Sequence, residues 1–298
     1  MEKFVLKNPD SFNLEHIFEC GQCFRWNRID NNKYIGIIKN AVIQVEKNES
    51  DYIFTGEIIS NTNSKNDILS FDSIIKYYFD LDTNYSLYKE KLSKIDKYLE
   101  QSIKFGEGIR ILKQDLWECI ISFIISANNN IPRIKKIIEK ICYNYGEKIV
   151  FNGNDYYSFP LPEALSKATV DDLRTLGLGF RDQRVYNTTK KILSKEVDLC
   201  AIKNMNSTEK MREELLKLDG VGPKVADCIL LFALKRLDVF PIDVWVRRVM
   251  NDLYIHNENE EKVNKKELKE LAESKFSGLS GIAQQYLFYW KREEGKGA

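Results

Sequence analysis

The sequence predicts an α+β protein in two parts. Residues 1–105 form an N-terminal domain built on an antiparallel sheet, and residues 106–298 form a mostly α-helical domain. Three observations carry this. Short runs rich in Ile, Val, Tyr and Phe, separated by turn residues, fall in the first part and read as strands. From about residue 106 the apolar residues recur at helical spacing. Within that helical part, Leu218–Met250 breaks at two glycines and a proline and then resumes. That pattern describes a helix, a tight hairpin and a second helix.

A chain of 298 residues allows one large or two ordinary domains, and 43% hydrophobic with 30% charged residues is normal for a soluble protein. No run is long and apolar enough to span a membrane, and the opening MEKFVLKNPDSF does not read as a signal peptide. The formal net charge is +1, so bulk charge does not announce a nucleic acid and any DNA footprint is local. The cysteines are Cys20, Cys23, Cys119, Cys142, Cys200 and Cys228. With no secretion signal they read as reduced thiols in a cytosol. Cys20 and Cys23 make a lone CxxC, and the histidines are only His16 and His256. No second pair completes a metal site, so no metal and no redox cofactor is expected.

In chain order, Lys33–Ile38, Ala41–Glu46 and Tyr52–Gly56 are the strand-like runs. Ser60–Asn66 is a polar loop, and Phe71–Phe79 and Tyr85–Phe105 have helical spacing. Phe24 and Trp26 carry a strand into a core. Asp115 with Glu118 suits an N-terminal capping box for LWECIISFIISA, a helix apolar on most sides. Asn128-Asn129-Asn130 break that helix, and Ile131-Pro132-Arg133 begin another. Leu176–Arg181 is a glycine turn that ends a short helix, and a long helix starts at Asp182. Asn257–Lys266 is a highly charged loop or helix start. Gly281–Trp290 is a final helix on which Gln284 and Phe288, four apart, share a face.

Chemistry concentrates at the hairpin. Gly220 and Gly222 let the backbone turn and approach a partner, and Pro223 occupies a first-turn position where its missing N–H costs nothing. The exposed N–H groups and the helix N-terminus form an anion site suited to a phosphate. That points to a nucleic-acid backbone gripped without reading its sequence. Lys224 opens the second helix. The positive helix end and burial both disfavour an ammonium, so its pKa is expected to fall and its amine to become nucleophilic. Asp243, after Pro241-Ile242, reads as an N-cap whose carboxylate stays ionised and stabilises a nearby cation. Lys224 and Cys228 are also four apart. If their helix faces the final one, amine, thiol, amide and aromatic ring form a pocket for a flipped base.

Five ordered motifs then carry a resemblance across nearly the whole chain. GVGPKVADC followed by PID, with CGQCFRW, SANNNIPRI, LGLGFR and AQQYLF, resembles the 8-oxoguanine DNA glycosylases of the helix-hairpin-helix glycosylase superfamily. The resemblance implies a bifunctional glycosylase and AP lyase acting in base excision repair. It makes Lys224 the nucleophile and Asp243 its electrostatic partner. Cys228 and Phe288 would sandwich the flipped base, Gln284 would read its pairing edge, and the Gly21 carbonyl would accept the N7 hydrogen that marks the lesion. Asn128 would fill the gap in the duplex, Phe180 would wedge beside the orphaned base, and Arg133 and Arg181 would bond to it. Gly220, Gly222 and Val225 would grip the backbone.

The implied partner is double-stranded DNA with 8-oxoguanine opposite cytosine, bound by a monomer in a prokaryotic cytoplasm, held to the nucleoid through DNA and away from membranes. Iron–sulfur sisters carry clustered cysteines near the C-terminus, and no cysteine follows Cys228, so no cluster is expected. Three positions depart from the family pattern. Trp245 stands where His is frequent, Lys291 where Asp is common and Phe180 where Tyr is common, so a His–Asp contact is lost as a unit. Two other readings fit parts of the pattern. One is a sister glycosylase for another damaged base. The other is a non-catalytic helix-hairpin-helix DNA-binding protein, for which Lys224 and Asp243 serve affinity only.

Overall fold

The computed structural model describes residues 1–59 and 70–295. The expected polar loop Ser60–Asn66 lies outside the described residues. The N-terminal sheet is antiparallel, with β1 (Glu2–Leu6), β2 (Trp26–Asp30), β3 (Lys33–Ile38), β4 (Ala41–Asn48) and β5 (Asp51–Ile58) in the order β1-β5-β4-β3-β2. The three expected strands are its centre. The edges are β2, which starts at Trp26 where a strand into the core was expected, and β1, which was not expected because it buries little and lacks the alternation that reveals a strand. Register explains one glycine. Gly36 pairs with Trp26, and a Cβ there would lie 2.4 Å from the indole. The ring fills that space, stacks on Phe18 at 4.2 Å and donates to the Tyr78 hydroxyl.

Beyond the sheet the chain is helical. The helices used below are α1 (Phe71–Tyr78), α2 (Leu116–Ser126), α3 (Ile131–Tyr145), α4 (Asp182–Leu193), α5 (Thr208–Leu216), α6 (Pro223–Phe232), α7 (Val244–Met250) and α8 (Ser280–Glu294). Helix α2 is buried on most sides, as its composition implies. Asp115 caps it by accepting from the Glu118 N–H at 3.1 Å. The expected single helix Tyr85–Phe105 is two, Tyr85–Ser93 and Lys97–Phe105. Asp96 caps the second and so ends the first. A hairpin of β6 (Lys148–Phe151) and β7 (Asn154–Tyr157) was not expected. Its signal is present in Asn152-Gly153, both at positive φ, the pair that suits a two-residue hairpin turn.

Two buried polar groups join the parts. Arg110 sends every N–H of its guanidinium to backbone carbonyls, those of Asp10, Ser11, Phe79, Asp80 and Thr83. The Asp80 carboxylate, on the sheet side, receives Lys113 at 2.7 Å and Lys235 at 2.6 Å from the helical side. Leu92, Leu99 and Ile103, from before residue 105, lie in the helical core.

A second buried pair sets the angle between the helices around the hairpin. Arg212 on α5 reaches Asp227 on α6 at 2.8 Å, with side chains 10% and 11% exposed. Burial raises the Asp227 pKa even with Arg212 beside it. Removing the cation by Arg212→Met therefore leaves a carboxyl buried without its partner, at an expected cost of about 3–5 kcal/mol. A folded pKa above the unfolded one favours the folded state in acid, and that contribution is lost as pH rises through the folded value. The penalty is accordingly smaller at pH 5 than at pH 8. Chemical denaturation of the variant at both values checks this, and an equal penalty at both would count against it.

Candidate active site and nucleic-acid interface

The hairpin is built so that one helix end stays open. After α5 the Val221 N–H bonds to the Leu218 carbonyl at 3.1 Å, closing the turn. Gly220 has φ +83, and a Cβ there would lie 2.9 Å from Arg184 and 3.1 Å from Ile124. Only glycine fits both the conformation and the contact. A Cβ on Gly222 would meet nothing within 4 Å. Gly222 is the N-cap of α6, no side chain caps that helix, and Pro223 occupies its first turn. The amides near Lys224 and Val225 thus face a site without a side-chain acceptor, where an anion completes the cap. From behind, α4 holds the turn: Lys191 pairs with Asp219 at 2.9 Å, and Thr188 donates to the Asp219 carbonyl.

Lys224 is half-buried, and its ammonium lies 5.7 Å from the centroid of the Phe123 ring. The expected fall in its pKa is corrected here, because the direction is upward. The Cys228 sulfur, one turn along α6, is the larger cause, and Asp243 adds to it; together they outweigh burial. Burial pushes the Cys228 thiol up to about 11, so its sulfur carries charge only at high pH, and at neutral pH Asp243 is the charged neighbour that favours the Lys224 ammonium. The helix end, burial and the neighbouring Cys228 were visible in the sequence, whereas Asp243 is brought to Lys224 only by the fold. Asp243 is the expected N-cap. Its Oδ1 accepts from the Val246 N–H at 2.9 Å and opens α7.

The base-pocket residues come from distant elements. Gly21, at φ +86, lies between the short helix Leu14–Phe18 and β2. A Cβ on it would sit 3.7 Å from the Phe288 ring and 3.4 Å from Arg292 Nη1. Gln284 and Phe288 line a cavity of about 10 Å³ with Phe240, Val246, Val249, Met250 and Leu287. That is room for one water at most, and neither Gly21, Lys224 nor Cys228 borders it. The Gln284 carbonyl meanwhile accepts from Gln285 at 2.8 Å. Gln22, fully buried, explains how the Gly21 loop keeps its place. Its amide donates to the Ile17 and Arg110 carbonyls and accepts from the Leu112 N–H, all within 2.9 Å.

The opposite-strand residues cluster at the Asn128 and Phe180 turns. Asn128 is exposed at φ 51, and Phe180 is 55% exposed. The guanidinium carbons of Arg181 and Arg184 lie 4.2 and 5.0 Å from the Phe180 ring centroid. Arg133 is exposed, with one 3.4 Å bond to the Gly177 carbonyl. Arg181 differs from expectation. It is buried and donates to the carbonyls of Ala127, Asn128 and Leu178, so its guanidinium builds the loop that carries Asn128. Carbonyls at a helix end need donors, and a guanidinium supplies several at once. Lys291, at the departing position, pairs with Asp252 at 3.1 Å and Glu294 at 3.0 Å, while Trp245 stands 45% exposed beside Asp243. Sequence reasoning missed Gln22 and Arg292. Gln22 had a signal, as a polar residue inside an aromatic core motif, and Arg292 had none.

Comparison with known proteins follows this geometry. Residues 4–120 match the model of the 8-oxoguanine DNA glycosylase, N-terminal domain, and residues 121–274 match that of the HhH-GPD superfamily base excision DNA repair proteins. The probable N-glycosylase/DNA lyase of Methanothermobacter thermautotrophicus is 35% identical over 241 residues, covering 74% of this chain and 75% of that protein. The solved structure of the Clostridium acetobutylicum 8-oxoguanine glycosylase/lyase in its apo-form is 41% identical, with TM-score 0.87, and covers 97% of this chain and 96% of that one. The same enzyme in complex with double-stranded DNA containing cytosine opposite 8-oxoguanine matches at TM-score 0.89, covering 99% of this chain and 96% of that one.

The direction found for Lys224 has a kinetic consequence. Only the free amine adds to an aldehyde, and an amine held above its ordinary pKa is scarce at neutral pH. Reductive alkylation of Lys224 by a small aldehyde is expected to accelerate about tenfold per pH unit from pH 7 through pH 9. Peptide mapping after borohydride quenching reads it. A plateau before pH 9 would show a depressed pKa instead.

Proposed function

The chain belongs to the HhH-GPD superfamily of base excision DNA repair proteins, with an 8-oxoguanine DNA glycosylase N-terminal domain before it, and from that membership we propose how its residues act. The protein is an 8-oxoguanine DNA glycosylase with AP-lyase activity, and its substrate is duplex DNA carrying the lesion opposite cytosine. The observation that carries the site reading is the juxtaposition of an uncapped helix start at Gly222, Lys224 just behind it, and Asp243 favouring the Lys224 ammonium.

In this reading the hairpin amides at Gly220, Gly222 and Val225 hold a backbone phosphate next to the lesion. The base leaves the stack, at a cost of a few kcal/mol, while Asn128 and Phe180 fill and wedge the gap. Phe288 and Cys228 take the two faces of the flipped base, and Gln284 turns from Gln285 to the pairing edge. The Gly21 carbonyl accepts the N7 hydrogen of 8-oxoguanine and repels the N7 lone pair of guanine. Lys224 must first lose a proton, since it rests as an ammonium held by the charge of Asp243, and the Asp243 carboxylate is the base that takes it and passes it to the departing base. The amine nitrogen then bonds to C1′ of the sugar. The glycosidic bond breaks, its electron pair leaves with the base, and the base takes up a proton. Asp243 stabilises the positive charge that grows on the sugar. The C1′–O4′ bond then breaks as the sugar ring opens, O4′ takes a proton from the lysine nitrogen, and the resulting protonated imine acidifies the C2′ hydrogen, whose removal expels the 3′ phosphate.

Cytosine presents acceptors at N3 and O2, and Arg133, which only donates, is exposed where it can meet them. Arg181 supports this from behind by holding the Asn128 loop. The division of the chain at residues 105 and 106 is kept as one of labour: the first part supplies the reading loop, the second the chemistry. Among the described residues no helix is long and apolar enough to cross a membrane. A monomer working on the DNA of a prokaryotic cytoplasm is the setting this reading favours.

Two measurements test the assignments. Lys224→Gln is expected to bind the lesion duplex but to lose excision and borohydride trapping. Asp243→Asn, which keeps the helix cap, is expected to melt within a few degrees of the parent while excision falls about a hundredfold or more. Excision at the parent rate in Lys224→Gln would leave only the non-catalytic DNA-binding reading of that residue. Arg133→Ala is expected to erode the preference for cytosine before it erodes affinity. Excision that is equally selective with and without Arg133 removes it from opposite-base reading.

A further inference from the structure

One side chain touches both walls of the base pocket. We propose that Arg292 is a positioning residue that clamps the Gly21 loop against Phe288 and thereby sets the discrimination of damaged from normal guanine. The proposal rests on the pocket reading given above. Arg292 lies on α8, one turn past Phe288, with its side chain 13% exposed. Its Nη2 donates to the carbonyl of Glu19, two residues before Gly21. Its Nη1 is 3.4 Å from where a Cβ on Gly21 would stand. Its guanidinium carbon is 5.4 Å from the Phe288 ring centroid and 5.7 Å from that of Tyr289. Nε and Nη2 also engage Glu293 at 3.0 and 2.9 Å.

The physical need for such a clamp follows from how a carbonyl tells the two bases apart. The gain from the lesion's N7 hydrogen and the repulsion from guanine's N7 both depend on placing that oxygen within hydrogen-bond tolerance. Gly21 has no side chain with which to hold itself, and its φ of +86 lies where other residues strain. Gln22 fixes the loop from the side of residues 110–112. Arg292 fixes it from the other side, against the ring on which the base stacks.

Direct reading by Arg292 is the competing role, and chemistry argues against it. A guanidinium at the C8 edge would donate to guanine N7, its preferred acceptor, and would reward the undamaged base. Engagement of Nε and Nη2 with Glu293 and Glu19 keeps those donors off that edge.

The test compares Arg292→Leu and Arg292→Lys with the parent under single-turnover conditions, on duplexes carrying 8-oxoguanine, guanine or an abasic site. Thermal melting of each protein accompanies it. The quantity read is the ratio of 8-oxoguanine excision to abasic-site cleavage, since cleavage by Lys224 needs the hairpin but no base. Arg292→Leu is expected to lower the ratio roughly ten- to a hundredfold, the factor that one hydrogen bond to a charged donor carries. Arg292→Lys can still donate to the Glu19 carbonyl and is expected to recover part of it. Excision and abasic cleavage falling together, or a ratio within about twofold of the parent in both variants, overturns the clamp. Should Arg292→Leu not fold, Arg292→Lys carries the comparison alone, and a ratio within about twofold of the parent is again fatal. Excision of guanine falling in Arg292→Leu while excision of 8-oxoguanine holds would instead identify a direct reader and overturn the clamp equally. A parent protein that leaves 8-oxoguanine in place defeats the functional reading itself, so the two failures are distinct.

Discussion

The site exists only because a loop from the sheet and helices from the second part meet, and the hydrogen bonds of Gln22 make that meeting reproducible. Its side chain is fully buried and satisfies three backbone groups on two segments. Gln114 returns a bond to the Gln22 carbonyl at 2.7 Å. Buried amides cost stability unless every group is paired, so this one tolerates few geometries. Arg110 and Asp80 reinforce the same joint with ionic groups whose partners are mostly backbone or lysine. A purely apolar joint of the same area would hold the parts together without fixing the rotation between them. A carbonyl that must discriminate one hydrogen needs the rotation fixed.

The second requirement runs against stability. Most helices here begin with a side-chain cap, Asp115, Asn130, Asp198 and Asp243 among them. The helix behind the hairpin begins with Gly222, which caps nothing. Glycine in place of a capping side chain costs about a few tenths of a kcal/mol. The chain accepts that cost where a phosphate is to bind, and it braces the turn from α4 and through the Arg212–Asp227 pair. Open amides on a rigid mount make a better anion site than open amides on a loose one, because binding then orders little.

What could be read in the sequence was what local chemistry decides. Central strands β3 to β5, the buried helix α2, the caps at Asp115 and Asp243 and the glycine hairpin all follow from spacing, turn residues and capping within a few positions. Edge strand β1 escaped because its exposed faces carry no alternation, and of β2 only the buried start at Trp26 was legible. The break at Asp96 escaped because apolar residues continue across it. Site residues were named correctly as neighbours wherever a motif joined them, as with Lys224 and Cys228 on one face. Properties set by convergence were not legible. The upward shift at Lys224 needs Asp243, nineteen residues on, to fold back toward it. Arg181 turns inward because carbonyls of Ala127 and Asn128, on another element, lack donors. Arg292 carries no motif at all, and its meaning comes wholly from Glu19, Gly21 and Phe288 being brought to it.

These convergent features share a direction. Arg181 is spent on loop carbonyls and Gln284 on Gln285. Lys224 keeps its proton. Each group that would meet the lesion or its partner base is satisfied internally, so binding exchanges contacts and does not simply add them. Exchange makes affinity modest and selectivity high, since a base that fails to repay the broken contacts is refused. On the proposed reading, undamaged guanine supplies nearly the same stacking area as the lesion and loses only at the Gly21 carbonyl. A pocket with its groups free would let that area dominate and would admit both bases. One with its groups satisfied internally makes the exchange an expense that stacking alone only balances, and leaves the single hydrogen at N7 to decide.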